Sequence, residues 1–250
     1  MTLLRPENPL PTATRTNTTT RSSAALTADV IAEEVRNAIV SGEIPLGTAM
    51  TEKWMVAQYG VSRATVREVM QYLIAQGYLA RRPYHSAYVR AFSAKEIHDL
   101  LEARELLEVH AGIQSINANA NAKARLRLAL DAYLTSFDEE DLAESAARHR
   151  DLHVALVGMT GNDRLMRQEE QLMIDSSLVV AVIDARRDDV DKMKRMHTQL
   201  VDAFLDGDQQ LSARLVREHL DMVHRAALEE LDDVTPSSSE ELDETCANLA

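Results

Sequence analysis

The chain reads as mainly α, with an N-terminal winged helix-turn-helix ahead of an all-α bundle of six helices, and three observations predict this. Between residues 51 and 91, a Gly-containing turn joins two cappable helical segments, and two β-prone runs follow. From Ser93 to Leu231 the apolar residues recur with helical period. Only 8 of 250 residues are Gly and 4% are aromatic, while 45% are hydrophobic, which favours packed helices.

Residues 1–25, Thr-rich from Thr12 to Thr20, have neither a helical period nor the apolar stretch of a signal peptide, so a disordered arm is expected. The first domain then covers residues 26–92. Thr51 can cap a short helix, Glu52 to Tyr59, and Gly60 suits the left-handed position that ends it. Ser62 is a good N-cap for the next helix, where Val66, Val69, Met70 and Leu73 form an i, i+3, i+4, i+7 stripe. Arg63, Arg67 and Gln71 fall on the opposite, solvated face. An ordinary amphipathic helix would look much the same, but Gly77 ends this one. Tyr78 to Arg82 and Ala87 to Ala91 then form β-prone runs around Pro83-Tyr84-His85-Ser86. That hairpin, with Arg81, Arg82 and Arg90 on it, is the expected wing.

Ser41-Gly42-Glu43-Ile44-Pro45-Leu46-Gly47, then Val61-Ser62-Arg63 with Val66-Arg67-Glu68, then Gly77-Tyr78-Leu79, resemble the N-terminal domain of GntR-family bacterial transcription regulators. The resemblance runs from about Leu26 to Val89. It implies that Arg63, Thr65 and Arg67 contact DNA and that Lys53, on the preceding helix, touches the backbone or a base. Arg81 and Arg82 on the wing complete the expected DNA-binding set. The chain departs from the family at Ala64, where Thr or Ser is common, and at Ser86, near the place of the wing's usual glycine.

A net charge of −13 looks unsuited to nucleic acid, but its distribution removes the conflict. Residues 1–92 hold 10 Lys and Arg against 7 Asp and Glu, whereas residues 93–250 hold 17 against 33. Attraction to phosphate acts over a Debye length, roughly 8 Å at physiological salt, so the local face outweighs the total.

In the second domain, residues 93–232, Ser93-Ala94-Lys95-Glu96 is a capping box opening a helix with an apolar stripe at Ile97, Leu100, Leu101, Leu107 and Ala111. Further helices are expected near 121–136, 139–158, 163–185, 188–206 and 208–231, with breaks at Gly161-Asn162 and Gly207-Asp208. Residues 233–250, rich in Ser and acidic groups, are expected to form a disordered tail.

Four histidines fall on core-facing stripes. Leu142, Ala146, His149, His153 and Leu156 share one face, Val190, Met193, His197, Leu200 and Phe204 a second, and Leu211, Leu215, His219 and Met222 a third. His149 and His153, four residues apart, put two imidazoles on one side of a helix, as a metal requires of a helix that supplies two ligands. A lone inward histidine is usually an ordinary core residue. Burying several without partners would cost on the order of a few kcal/mol each, so four converging ones point to a shared ligand. His85, His98, His110 and His224 are expected at the surface.

Glu102-Ala103-Arg104 with Leu107-Glu108, His153 with Gly161-Asn162, His197 with Asp202-Ala203 and Asp208, and His219-Leu220 make this half similar to the FadR-type C-terminal ligand-binding domain, in its six-helix, VanR-like form. That resemblance implies a divalent metal at the floor of an effector pocket, held by three histidines and an aspartate. His153, His197 and His219 match the histidines, and His149 stands where the aspartate would be. Asp151 points about 200° around the helix from His149. An all-imidazole set suits a divalent transition metal, Zn or Ni before a hard ion such as Mg.

Arg104 lies within the apolar stripe of its helix. It is either an ion-paired core arginine, with Glu108 at i+4, or a clamp for a carboxylate effector.

The expected protein is a cytoplasmic regulator. It would bind a double-stranded DNA operator with an inverted repeat as a homodimer, and respond to a small organic acid. A metalloenzyme and a metal-free dimerisation module are the alternatives. The sequence contains no His-Glu-x-x-His and no Glu-x-x-His, which removes two common helical metalloenzyme patterns. The single Cys246 leaves no intrachain disulfide, as expected of a reducing compartment, and the longest apolar run, Leu178 to Ile183, is far too short to span a bilayer.

Overall fold

The computed structural model describes residues 28–81, 86–137, 141–184 and 190–234. The expected arm over 1–25, Arg82 and His85 on the wing, and Cys246 with nearly all of the acidic tail lie outside the described residues.

The N-terminal unit is a winged helix built on three helices: α1 (Ala28–Val40), α2 (Glu52–Tyr59) and α3 (Arg63–Ala75). Thr51 caps α2 through Trp54 N–H, and Gly60 ends it at φ +67° with its N–H on the Val56 carbonyl. Ser62 caps α3 through Thr65 N–H, and Val66, Val69, Met70 and Leu73 are buried, as their spacing required. Ile31, Ala32, Val35 and Ile39 of α1 cover the other side of this core.

The wing hairpin pairs β2 (Leu79–Arg81) with β3 (Ala87–Val89), Ala80 opposite Tyr88. A third strand, β1 (Ala49–Met50), joins the far edge of β3, giving the order β1-β3-β2. Two residues carry no readable period, so the sequence offered no sign of β1.

The second unit contains α4 (Ala94–Gln114), a 3-10 turn (Ser115–Asn117), α5 (Ala120–Ser136), α6 (Leu142–Gly158), α7 (Asp163–Asp184), α8 (Val190–Asp206) and α9 (Gln209–Val234). The capping box at Ser93 and Glu96 forms with both of its reciprocal bonds. Asp141 accepts from the N–H groups of Ala143 and Glu144, so α6 starts at Leu142 rather than near 139. α9 runs to Val234, into the stretch expected to be tail. Helix α4 lies in the middle, against α6, α7 and α9, and α6 packs between α5 and α7.

The stripes need three corrections. Leu142 and Val190, in the first turns of α6 and α8, are exposed, because each helix enters the bundle only after that turn. On α9 the buried face is Ser212, Val216, His219, Leu220, Val223 and Ala227, while Leu211 and Leu215 are half-buried. Close approach of α4 explains this. A Cβ on Gly112 would lie 2.9 Å from that of Ser212, so small residues, not leucines, mark the contact line.

Arg90 turns away from the wing and joins the two units. It pairs bidentately with Asp175 on α7 and lies 4.9 Å above the Phe92 ring. α1 also rests on α6 and α7.

Candidate functional site

Two groups of polar residues stand out, one exposed on the winged helix and one enclosed in the bundle. On α3, Arg63 and Arg67 are exposed, and Thr65 is half-buried with its hydroxyl 3.0 Å from that of Ser62. Lys53 on α2 and Arg81 on the wing are exposed as well. The sequence reading missed Glu52, whose Oε1 accepts from Arg67 Nε at 2.8 Å across the α2–α3 turn.

The enclosed group of histidines is built by three helices. His149 and His153 come from α6, His197 from α8 and His219 from α9, and all four are at most 5% exposed. One nitrogen from each meets the others within 4.8 Å. The Nε2 atoms of His149 and His197 are 3.2 Å apart, and those of His153 and His149 are 3.1 Å apart. Ligand nitrogens about 2.0–2.1 Å from a Zn ion at tetrahedral angles are separated by about 3.3 Å, so these spacings suit a first-row transition ion.

Tautomers and charge agree with that fit. His197 Nδ1 lies 2.9 Å from the Met193 carbonyl, to which it donates when protonated, leaving the Nε2 lone pair directed inward. His153 Nδ1 is 3.1 Å from Glu108 Oε2, an arrangement that orients metal-binding histidines elsewhere. Among the described residues neither nitrogen of His219 has a hydrogen-bond partner, an expensive condition for a buried imidazole. Burial and the neighbouring imidazoles push His149 and His219 well below the ordinary histidine range, so both are neutral, as ligands must be. His153 is also pushed down by burial, against the opposing pull of Glu108.

Behind His153 lies a buried charge network. Arg104 donates from Nε and Nη2 to Glu108 Oε1 at 3.0 and 2.6 Å and from Nη1 to Ser176 Oγ at 2.8 Å. Its Nη2 is also 2.9 Å from His153 Nδ1. Burial would push Glu108 up, but Arg104 and His153 outweigh it and hold the carboxylate well below its usual range. Glu169 Oε1 lies 3.5 Å from Arg104 Nε. Burial and the Glu108 charge push Glu169 well above the usual range, so it keeps its proton, and one cation faces one anion.

The four histidines expected to converge therefore do, and Arg104 adopts the ion pair with Glu108. Glu169 and Ser176 went unnoticed in the sequence. The signal was there: Glu169, Met173, Ser176 and Val180 share one buried face of α7, so Glu169 breaks an apolar stripe just as Arg104 does. Asp151 is exposed and contacts Arg148 and Arg150, away from the histidines. His98 and His110 are exposed and His224 is half-buried.

Comparison with known proteins agrees with this division. Residues 27–89 match the model of bacterial regulatory proteins of the gntR family, and residues 99–222 match the FCD domain. The chain is 28% identical over 203 residues, 80% of its own length and 89% of the relative's, to a probable D-xylose utilization operon transcriptional repressor of Paenarthrobacter nicotinovorans. It is 36% identical over 86 residues, 34% of its length and 35% of the relative's, to the gluconate operon transcriptional repressor of Bacillus subtilis. Among solved structures, a GntR transcriptional regulator of Rhodococcus sp. RHA1 superposes with a TM-score of 0.66 at 23% identity, covering 81% of this chain and 97% of that one. At that identity the likeness is one of fold.

Proposed function

The chain belongs to the GntR family of bacterial regulatory proteins and carries an FCD domain, and from this we propose a cytoplasmic transcription regulator that holds a divalent transition metal and responds to a small organic acid. It binds an inverted-repeat operator in double-stranded DNA as a homodimer and is not an enzyme. The observation that carries the metal assignment is the meeting of four buried imidazoles, with both nitrogens of His219 otherwise unpartnered among the described residues.

His149, His153, His197 and His219 are the metal ligands, with Zn or Ni the ions that imidazole favours. Bound there, the ion supplies a Lewis-acid position for an effector's carboxylate. Arg104 is the second group suited to that carboxylate, which would take the place of Glu108 on the guanidinium. The observed pair with Glu108 favours a further role for Arg104, that of reporting on His153. A proton on Nδ1 is donated to Glu108, whereas a bare Nδ1 accepts from Arg104. Any ligand that occupies Nε2 keeps the proton on Nδ1 and turns the Arg104 contact into donor against donor. Arg104 also donates to Ser176, whose neighbour Asp175 holds Arg90 of the winged helix.

Arg63, Thr65 and Arg67 are the groove-reading residues, with Lys53, Arg81 and Arg82 on phosphate. Leu106 and Ile113, seven residues apart on the outer face of α4, are 71% and 41% exposed and support a second copy as partner. Among the described residues no helix is long and apolar enough to cross a membrane. The gluconate repressors match this chain over only 86 residues, 34% of its length, so their names say nothing about the effector here.

Native mass spectrometry of the full chain, before and after chelation, tests this proposal together with gel-shift titration on duplexes selected by the protein. The expected result is two chains and two metal ions per assembly, with DNA affinity altered by chelation. A metal-free assembly with the same DNA affinity before and after chelation would remove the ion from the mechanism.

A further inference from the structure

Glu52 is an acidic residue in the middle of a basic face. Its carboxylate is hydrogen-bonded to Arg67 and feels the charges of Arg63 and Arg81, and both it and Arg67 remain open to solvent. A carboxylate there weakens attraction to DNA phosphates, and an exposed ion pair contributes little to stability. Its place in the first turn of α2 is a mild asset to that helix, yet any acidic residue in the turn would serve as well. The geometry is more particular. Thr51 anchors the start of α2, and Glu52 reaches across the turn to Nε of Arg67 alone. Among the described residues the two Nη groups have no hydrogen-bond partner, and guanidinium nitrogens in such a pair match guanine O6 and N7.

We propose that Glu52 is a specificity-determining positioning residue, which holds the Arg67 guanidinium edge-on to a base and keeps it off the phosphates. This rests on the DNA-reading role of α3 proposed above. Two effects combine. Fixing the guanidinium lowers the ordering cost of the base contact, and the negative charge penalises non-specific binding. Loss of Glu52 should therefore move specific and non-specific affinity in opposite directions, which no simple loss of helix stability would do.

The test uses the full chain and a randomised duplex library, from which the wild-type protein selects its operator. Glu52→Gln keeps the shape and removes the charge, and a thermal melt checks that the variant is folded. The expected result is tighter binding to a scrambled duplex, weaker binding to the operator, and about a tenfold fall in their ratio. The slope of log affinity against log salt should steepen by about 0.9 per site, as Arg67 moves onto phosphate. In an Arg67→Ala background, Glu52→Gln should lower the ratio much less, because only the effect of the charge on non-specific binding remains. If the ratio falls equally in both backgrounds, or does not fall in the wild-type background while Arg67→Ala alone lowers it, Glu52 does not position Arg67. If Arg67→Ala itself leaves the ratio unchanged, α3 does not read bases through Arg67, and the role of Glu52 falls with it.

Discussion

The recognition face and the histidine chamber use charge in opposite ways. On α3 the arginines stand in solvent, where each is hydrated and an ion pair such as Arg67–Glu52 is worth little to the fold. In the bundle, Arg104, Glu108, Glu169 and four histidines are withdrawn from water, and Arg104, Glu108 and His153 depend on one another there. Function and stability should therefore separate at the first region and coincide at the second.

The largest expected effect tests the second half of that contrast. Arg104→Met leaves the Glu108 carboxylate buried without its guanidinium and should destabilise the protein by about 3–5 kcal/mol in urea unfolding. An unchanged midpoint would mean that the network is not under the tension described. Next, a thousandfold excess of Zn or Ni over its dissociation constant should stabilise the metal-free protein by about 4 kcal/mol, seen as a higher melting temperature. His219→Ala should abolish most of that gain, and a wild-type melt indifferent to both metal and chelator would break the comparison.

Effects at the exposed face should be smaller and confined to binding. Arg67→Ala should cost about 1–3 kcal/mol per half-site in operator affinity and stay within about 0.5 kcal/mol of wild type in stability. A large loss of stability would show that the arginine is structural. Smallest per step is the response of the metal-free chamber to acid. His149 and His219 are neutral when folded but protonate near 6.5 when unfolded, so the unfolded state binds more protons once pH falls below that value. Stability should be flat above about pH 7 and decline below 6.5 by about 1.4 kcal/mol per pH unit for each such histidine. Metal should add stability but leave the decline in place, because the unfolded histidines still protonate near 6.5, and a decline confined to pH below 4 would point to carboxylates instead.

The sequence exposed these two regions unevenly. Caps and glycines located the helices of both units because a local side chain satisfies a local backbone group, as at Ser62, Ser93 and Gly60. The histidines were legible because helical spacing alone puts His149 over His153. What was hidden depends on contacts between distant segments. Glu52 meets Arg67 only because of the angle between α2 and α3, Ser176 meets Arg104 across 72 positions, and the buried face of α9 follows from Gly112 rather than from its own leucines. Arg90 looked like a wing residue because strand alternation says nothing about a neighbouring helix such as α7.

Asp175 and Ser176 are consecutive, so about 100° of helix separates the side chain that grips the winged helix from the one that grips the chamber. No loop or joint intervenes between them. Any roll of α7 driven from one grip is delivered to the other without slack, as a rigid crankshaft delivers torque, and hydrogen exchange along α7 should slow or quicken at both positions together.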